Sequence, residues 1–167
     1  SLRSVEQRDL PRVHQLFAKT NQFNATTIRY SLAEIEGVLE QDDINLLLAT
    51  AKDRFGKLGK IGVALVRREQ SKLVIDSFIL SCRAMGRGIE TAMMNVVKSR
   101  AQEDPGVKQL VGRYIPTSKN KPVREFYSDQ GFVLEWEKSN GERVYVLEGD
   151  EWTPIDCSWL QVEVALP

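Results

Sequence analysis

The stretch Ile79-Leu80-Ser81-Cys82-Arg83-Ala84-Met85-Gly86-Arg87-Gly88-Ile89-Glu90 changes character twice within twelve residues. An apolar strand-like run gives way to a loop with two glycines one residue apart, and helical spacing starts directly after it. Glycine lets a backbone come close to a ligand, and the free N–H groups of a helix start attract an anion such as a pyrophosphate. Arg83 and Arg87 add positive charge beside that point. A tight turn followed by a helix cap would use the same residues, and the motif by itself does not choose between the two.

Upstream, Lys72–Leu80 is the third of three strand-like runs, after 46–51 and 61–68, separated by Phe55-Gly56-Lys57-Leu58-Gly59 and by Glu69-Gln70-Ser71. This predicts an antiparallel meander. Further upstream, Asp9-Leu10-Pro11 starts a helix to Lys19, with Asp9 as N-cap and Leu10, Val13, Leu16 and Phe17 on one face. Ser31 and Glu34 form a capping box for a second helix with Leu32, Ile35, Val38 and Leu39 buried. Between these helices, residues 20–27 are crowded with Asn, Gln and Thr, which bond to nearby backbone and predict an ordered polar loop.

Downstream, the pattern predicts a helix over 88–102, stopped by Asp104-Pro105-Gly106, a strand over 109–115 and a short helix over 122–130 capped by Gly131. Strands over 132–137 and 144–148 close as a hairpin through Ser139-Asn140-Gly141. Residues 1–148 therefore read as one domain and 149–167 as a tail, in which the weak alternation of 159–166 is a candidate edge strand. The fold class is α/β (α+β): a mixed, mainly antiparallel sheet flanked by helices.

Composition limits the chemistry. The 167 residues carry 23 Lys+Arg against 23 Asp+Glu, one His and two Cys. Zero net charge argues against a nucleic-acid binder, a single His against a multi-His metal site, and two cysteines against a disulfide framework. No long apolar run predicts a membrane span, and the expected compartment is the cytoplasm.

The element order and the Arg83-x-x-Gly86-x-Gly88 loop resemble the Gcn5-related N-acetyltransferase fold, as does the run Asn120-Lys121-Pro122-Val123-Arg124-Glu125-Phe126-Tyr127-Ser128-Asp129-Gln130-Gly131-Phe132. The resemblance implies that Arg83, Gly86, Arg87 and Gly88 hold the pyrophosphate of a phosphopantetheine cofactor. It places Asn120 near the pantetheine arm and Tyr127 near the leaving thiolate. A narrower resemblance, carried by 20–27, 53–56, 75–83 and 114–120, is to the C-terminal half of FkbH-like proteins. That resemblance implies transfer of a glyceryl unit, derived from a glycolytic acyl phosphate, to the phosphopantetheine of an acyl carrier protein for polyketide extender synthesis. In that family a phosphatase-like domain precedes the acyltransferase. Its Asp-x-Asp motif has no counterpart in these 167 residues, which match the transferase half.

Cys82 is the candidate nucleophile, since a thiol beside positive charge is suited to accept an acyl group and pass it on. The alternative is a small buried apolar residue. Tyr127 is a candidate general acid or a core aromatic. His14 is a candidate base or an ordinary helix residue. Asn21, Gln22, Asn24 and Thr27 either bind a small polar acyl donor or satisfy their own loop. Asp76 interrupts the apolar run of its strand and is expected to point into the cleft. Three functions follow: acyl transfer to a carrier-protein arm through acyl-Cys82, acetyl-coenzyme A-dependent acetylation of an amine, and carrier-protein docking without chemistry. The charge is also unevenly placed. Lys108, Arg113, Lys119, Lys121 and Arg124 lie in one acid-free segment, which suits an acidic carrier.

Overall fold

The computed structural model describes residues 1–166. The three meander strands are β2 (Ile44–Asp53), β3 (Gly56–Glu69) and β4 (Lys72–Leu80), all antiparallel. The expected loop at 55–59 is mostly strand. Asp53 folds its carboxylate back onto the Phe55 and Gly56 N–H groups, so a two-residue turn suffices, and β3 absorbs the irregularity in bulges. A further bulge, at Asp76 on β4, separates the pairs Leu65–Ser77 and Val66–Ile75.

β4 continues into a short 3₁₀ turn, Cys82–Ala84, and α3 spans Ile89–Glu103. β5 (Gln109–Tyr114) returns parallel to β4 and is flanked by the hairpin β6 (Val133–Glu137) and β7 (Arg143–Glu148). The helix predicted over 122–130 is split into a 3₁₀ turn at Lys121–Val123 and a single α-turn, α4 (Phe126–Asp129). The sheet order is β6-β7-β5-β4-β3-β2, continued by β1 (Leu2–Ser4) and β8 (Val164–Ala165). Its two edge additions at the β1 end were not both foreseen. β1 lacks any pattern long enough to read, and the tail strand is only Val164–Ala165, parallel to β1.

Helices cover both faces. α1 (Leu10–Lys19) and α2 (Leu32–Leu39) bury Val13, Phe17 and Ile35 against Leu48, Val63 and Ile79. On the other face α3 and α4 bury Met93, Val97 and Tyr127 against Ala64, Ile75 and Phe78. The capping box of Ser31 and Glu34 forms as expected. Asp9 does not cap α1 with its side chain. Its buried carboxylate is claimed by Arg3, Lys60 and the Glu6 N–H, which lie on the preceding turn and the sheet.

Candidate active site

β4 and β5 are parallel neighbours only over Lys72–Ile75 and Gln109–Gly112. Beyond that point they fork. The backbone groups of β4 that face the fork would be orphaned in an apolar layer, which is costly, and they are satisfied by the polar loop after α1. The Leu80 N–H donates to the Phe23 carbonyl at 3.0 Å, and the Ala25 N–H donates to the Phe78 carbonyl at 3.3 Å. These two bonds bracket an antiparallel bridge between Asn24 and Ile79. On the other side of the fork the Ile115 N–H donates to the Ala25 carbonyl at 2.9 Å, while on the β4 side the Thr26 hydroxyl donates to the Asp76 carbonyl. Phe23–Ala25 is therefore a short strand inside the fork, with Asn24 and Ala25 fully buried.

Asn120 locks this arrangement. Buried between the loops, its amide donates to the carbonyls of Asn24 (3.0 Å) and Ile115 (2.9 Å), while its oxygen accepts from the Thr117 N–H. Of the other loop residues, Asn24 accepts from the Thr27 N–H, Asn21 accepts from Arg29, and Gln22 is exposed. Thr27 sits at φ +55°, a strained value for a β-branched residue. Asp76 lies at the bulge, and its carboxylate accepts from Arg67 Nε at 3.0 Å, so that ion pair takes up part of its capacity as an acceptor.

Tyr127 is packed over Gly112, the last residue of β5 to pair with β4. A β-carbon at 112 would run into its ring. The hydroxyl is buried near the Arg113 backbone without a hydrogen bond of normal geometry, and burial pushes its ionisation above the ordinary phenol range.

At the open end of β4, Cys82 is exposed and Arg83 follows it, also exposed. Past the ladder pair Gly62–Leu80, the Ser81 N–H donates to the Ile61 carbonyl, next to Lys60 on β3. The Lys60 carbonyl accepts from Arg12 Nε at 3.1 Å, so α1 brings a second guanidinium to the same rim. Burial lowers the Arg12 pKa and the nearby Arg83 charge adds to that. Arg12 was not singled out from the sequence, because its proximity depends on α1 crossing the sheet. His14, on the same helix, is half-buried.

The glycine loop has the expected backbone. Gly86 and Gly88 have φ +70° and +79°, and Gly88 is the N-cap of α3. A β-carbon at Gly86 would meet open space. At Gly88 it would lie 2.8 Å from the Trp159 ring, whose indole N–H donates to the Arg87 carbonyl at 3.1 Å. Arg87 itself pairs with Asp53 at 2.8 Å. The tail reaches this loop along α3, where Asn95 holds both the N–H and the carbonyl of Ile155.

The frame of forked sheet, glycine loop and flanking helices is the Gcn5-related N-acetyltransferase fold. The solved structures it resembles include spermidine N-acetyltransferase from Vibrio cholerae in complex with CoA and spermine, with TM-score 0.68 and 14% identity over 91% of this chain and 96% of that one. Arabidopsis thaliana NAA60 with a bisubstrate analogue gives TM-score 0.69 and 16% identity over 89% and 97%. Aminoglycoside acetyltransferase AAC(6')-Ib in complex with coenzyme A gives 0.65 and 17% over 91% and 96%. No family model and no curated protein matches the sequence. Among the described residues no cluster of His, Cys, Asp and Glu could hold a metal ion, and no helix is long and apolar enough to cross a membrane.

The donors and acceptors at the fork suit an extended amide chain, and one already sits on them: the peptide Phe23–Ala25 uses the Leu80 N–H, the Phe78 carbonyl and the Asn120 amide. At the glycine loop the backbone at Gly86 is open, with nothing within 4 Å of a β-carbon placed there.

Proposed function

We propose that the chain is an acyltransferase that moves a small polar acyl group, glyceryl by the resemblance, onto the phosphopantetheine thiol of an acyl carrier protein, with Cys82 as the acyl-bearing residue. The observation that carries this reading is the position of Cys82: exposed at the end of β4, beside Arg83 and facing the rim that Arg12 reaches.

In the first step the Cys82 thiolate attacks the donor carbonyl. A C–S bond forms, and the phosphate or thiol of the donor leaves with the bonding electrons, its negative charge met by Arg12 and Arg83. In the second step the acceptor thiol gives its proton to a base and attacks the acyl-Cys82 carbonyl as the thiolate; its C–S bond forms, the C–S bond to Cys82 breaks with the electrons on sulfur, and Cys82 returns as the thiolate. Stabilisation of the oxyanion by backbone donors at the strand end narrows to the Cys82 N–H, since Leu80 and Ser81 already donate to Phe23 and Ile61. Tyr127 is the proposed proton donor to a leaving thiolate, His14 an accessory base, and Asn21, Gln22, Asn24, Thr27 and Asp76 the proposed acyl-group contacts. Lys119 and Lys121, both exposed, support an acidic carrier as partner. An upstream phosphatase-like domain and a cytoplasmic setting belong to the same reading.

Intact-mass measurement after incubation with a glyceryl donor tests it. A glyceryl-sized adduct is expected on the wild type and absent from Cys82→Ala; transfer that persists unchanged in Cys82→Ala rejects the covalent route. The second reading, acetylation of an amine from acetyl-coenzyme A, is favoured by the acetyltransferase neighbours of the fold and needs no cysteine. Thiol release from acetyl-coenzyme A that depends on an added amine and survives Cys82→Ala selects it.

A further inference from the structure

We propose that Phe23–Ala25 is a displaceable stand-in for the pantetheine arm: an internal strand that closes the β4/β5 fork until an incoming arm takes its hydrogen bonds. The inference rests on the reading that this fork receives such an arm.

Three independent features converge on it. The first is chemical mimicry. The segment is an extended amide chain lying along the fork-facing edge of β4, bonded to the Leu80 N–H and the Phe78 carbonyl and held from the side by the Asn120 amide. An arm made of two amides and short methylene spacers offers the same alternation of donors and acceptors. Both cannot use one edge at the same time.

The second is an unfilled demand. With the strand in place, the Tyr127 hydroxyl is fully buried beside the Arg113 backbone and makes no hydrogen bond of normal geometry. Phe23 closes over this region, stacking edge-on against Phe126, which in turn packs on Tyr127. A buried polar group without a partner is disfavoured, and a polar arm entering here would supply one. The closed arrangement thus leaves open an interaction that displacement would complete.

The third is a strained pivot. Thr27, two residues after the strand, is β-branched and held at φ +55°. Strain of this kind persists where surrounding contacts enforce it, and the Thr27 N–H is held by the Asn24 side chain, which belongs to the segment that would move. Movement of the segment would also free Asn24, whose side chain now bonds only within its own loop, to Thr20 and Thr27.

Hydrogen exchange by mass spectrometry on the full chain, with coenzyme A or D-pantetheine as the probe, reads the displacement directly. The expected result is exchange at least about tenfold faster at the Ala25 and Ile115 amides in the presence of probe, while Leu80 stays protected by its new partner. Unchanged exchange at Ala25 and Ile115 at millimolar probe overturns the proposal. A lock provides a second route. Asn24 and Ile79 are directly opposed between the two flanking bonds, a non-hydrogen-bonded pair whose α-carbons lie about 4.5 Å apart, within disulfide reach. Asn24→Cys with Ile79→Cys, on a background of Cys82→Ala and Cys157→Ala, should bind coenzyme A at least about tenfold more weakly when oxidised than after reduction. Equal binding in the two states also overturns the proposal. Binding of coenzyme A to the reduced protein separates the two failures: no binding rejects the reading that the fork receives an arm, whereas binding with unchanged exchange, or with equal affinity after oxidation, rejects the stand-in strand.

Discussion

Asp9 and Tyr127 are both fully buried polar residues on opposite faces of the same sheet, and they are treated in opposite ways. The Asp9 carboxylate accepts from Arg3 through both oxygens, at 2.6 and 2.8 Å, from the Glu6 N–H at 2.9 Å, and pairs with Lys60 at 2.7 Å. The Tyr127 hydroxyl has no partner. A saturated centre holds structure: it ties β1, the turn before α1 and β3 into one corner. An unsaturated one is expected where something has still to bind. Of three other partnerless oxygens among the described residues, Ser77 Oγ beside the β4 bulge and Glu90 Oε2 in the first turn of α3 lie on elements that frame the cleft, and Gln130 Oε1 lies at the end of α4.

The most disruptive way to break the comparison is at Asp9. Its hydrogen bonds to Arg3 and Lys60 hold the carboxyl well below the usual carboxylate range, against the opposing effect of burial. Because the folded-state pKa is depressed, the stabilisation is complete above the unfolded pKa of about 4 and disappears as pH falls below it. Asp9→Asn should cost about 3 kcal/mol at pH 7, the lower part of the range for a broken buried pair, since Arg3 and Lys60 are partly solvated. Urea melts at pH 7 and pH 3 check both parts: the difference between wild type and variant should shrink at the lower pH. An equal difference at both would remove Asp9 from its structural role.

Gly112 comes next. Any side chain there meets the Tyr127 ring, and the crowded layer of Phe126, Phe132 and Tyr145 around that ring leaves it little room to retreat. Gly112→Ala should destabilise by about 2 kcal/mol, in the range for overpacking a filled core. Thermal melting checks it, and a neutral result would mean that Tyr127 is free to swing out, contrary to its packing.

What could be read without coordinates follows the range of the forces involved. Lys72–Leu80, the α1 stripe and the Ser31 capping box depend on residues within a few positions of each other, and each formed where the pattern put it. The glycine loop and Cys82 were found for the same reason, as a local change of period. Asn120 and Tyr127 came by resemblance. Local reading could not say that Asn120 would grip the Asn24 carbonyl 96 residues away, nor that a polar loop would serve as a strand inside a fork. Arg12 belongs with these, since only the crossing of α1 over β3 brings it to the Lys60 carbonyl. Asp9 shows the opposite error, a local cap motif overridden by two cations from elsewhere in the chain.

Tyr127→Phe gives the smallest effect and the sharpest test, because it separates stability from function by sign. Removing a hydrogen-bonded hydroxyl normally weakens a fold. Here the hydroxyl is buried without a bond, so its loss removes a desolvation cost while the ring keeps its contacts with Gly112, Phe126 and Tyr145. The variant should be more stable than wild type by about 1 kcal/mol. If the hydroxyl waits for an arm in the fork, the same variant should transfer acyl groups more slowly. Chemical denaturation alongside the rate of acyl transfer measures both. A variant that is less stable would show that the hydroxyl is bonded in the free protein, and one that is more stable yet equally active would make Tyr127 a core residue and nothing more. Only gain in stability together with loss of rate fits a polar group left open at the fork.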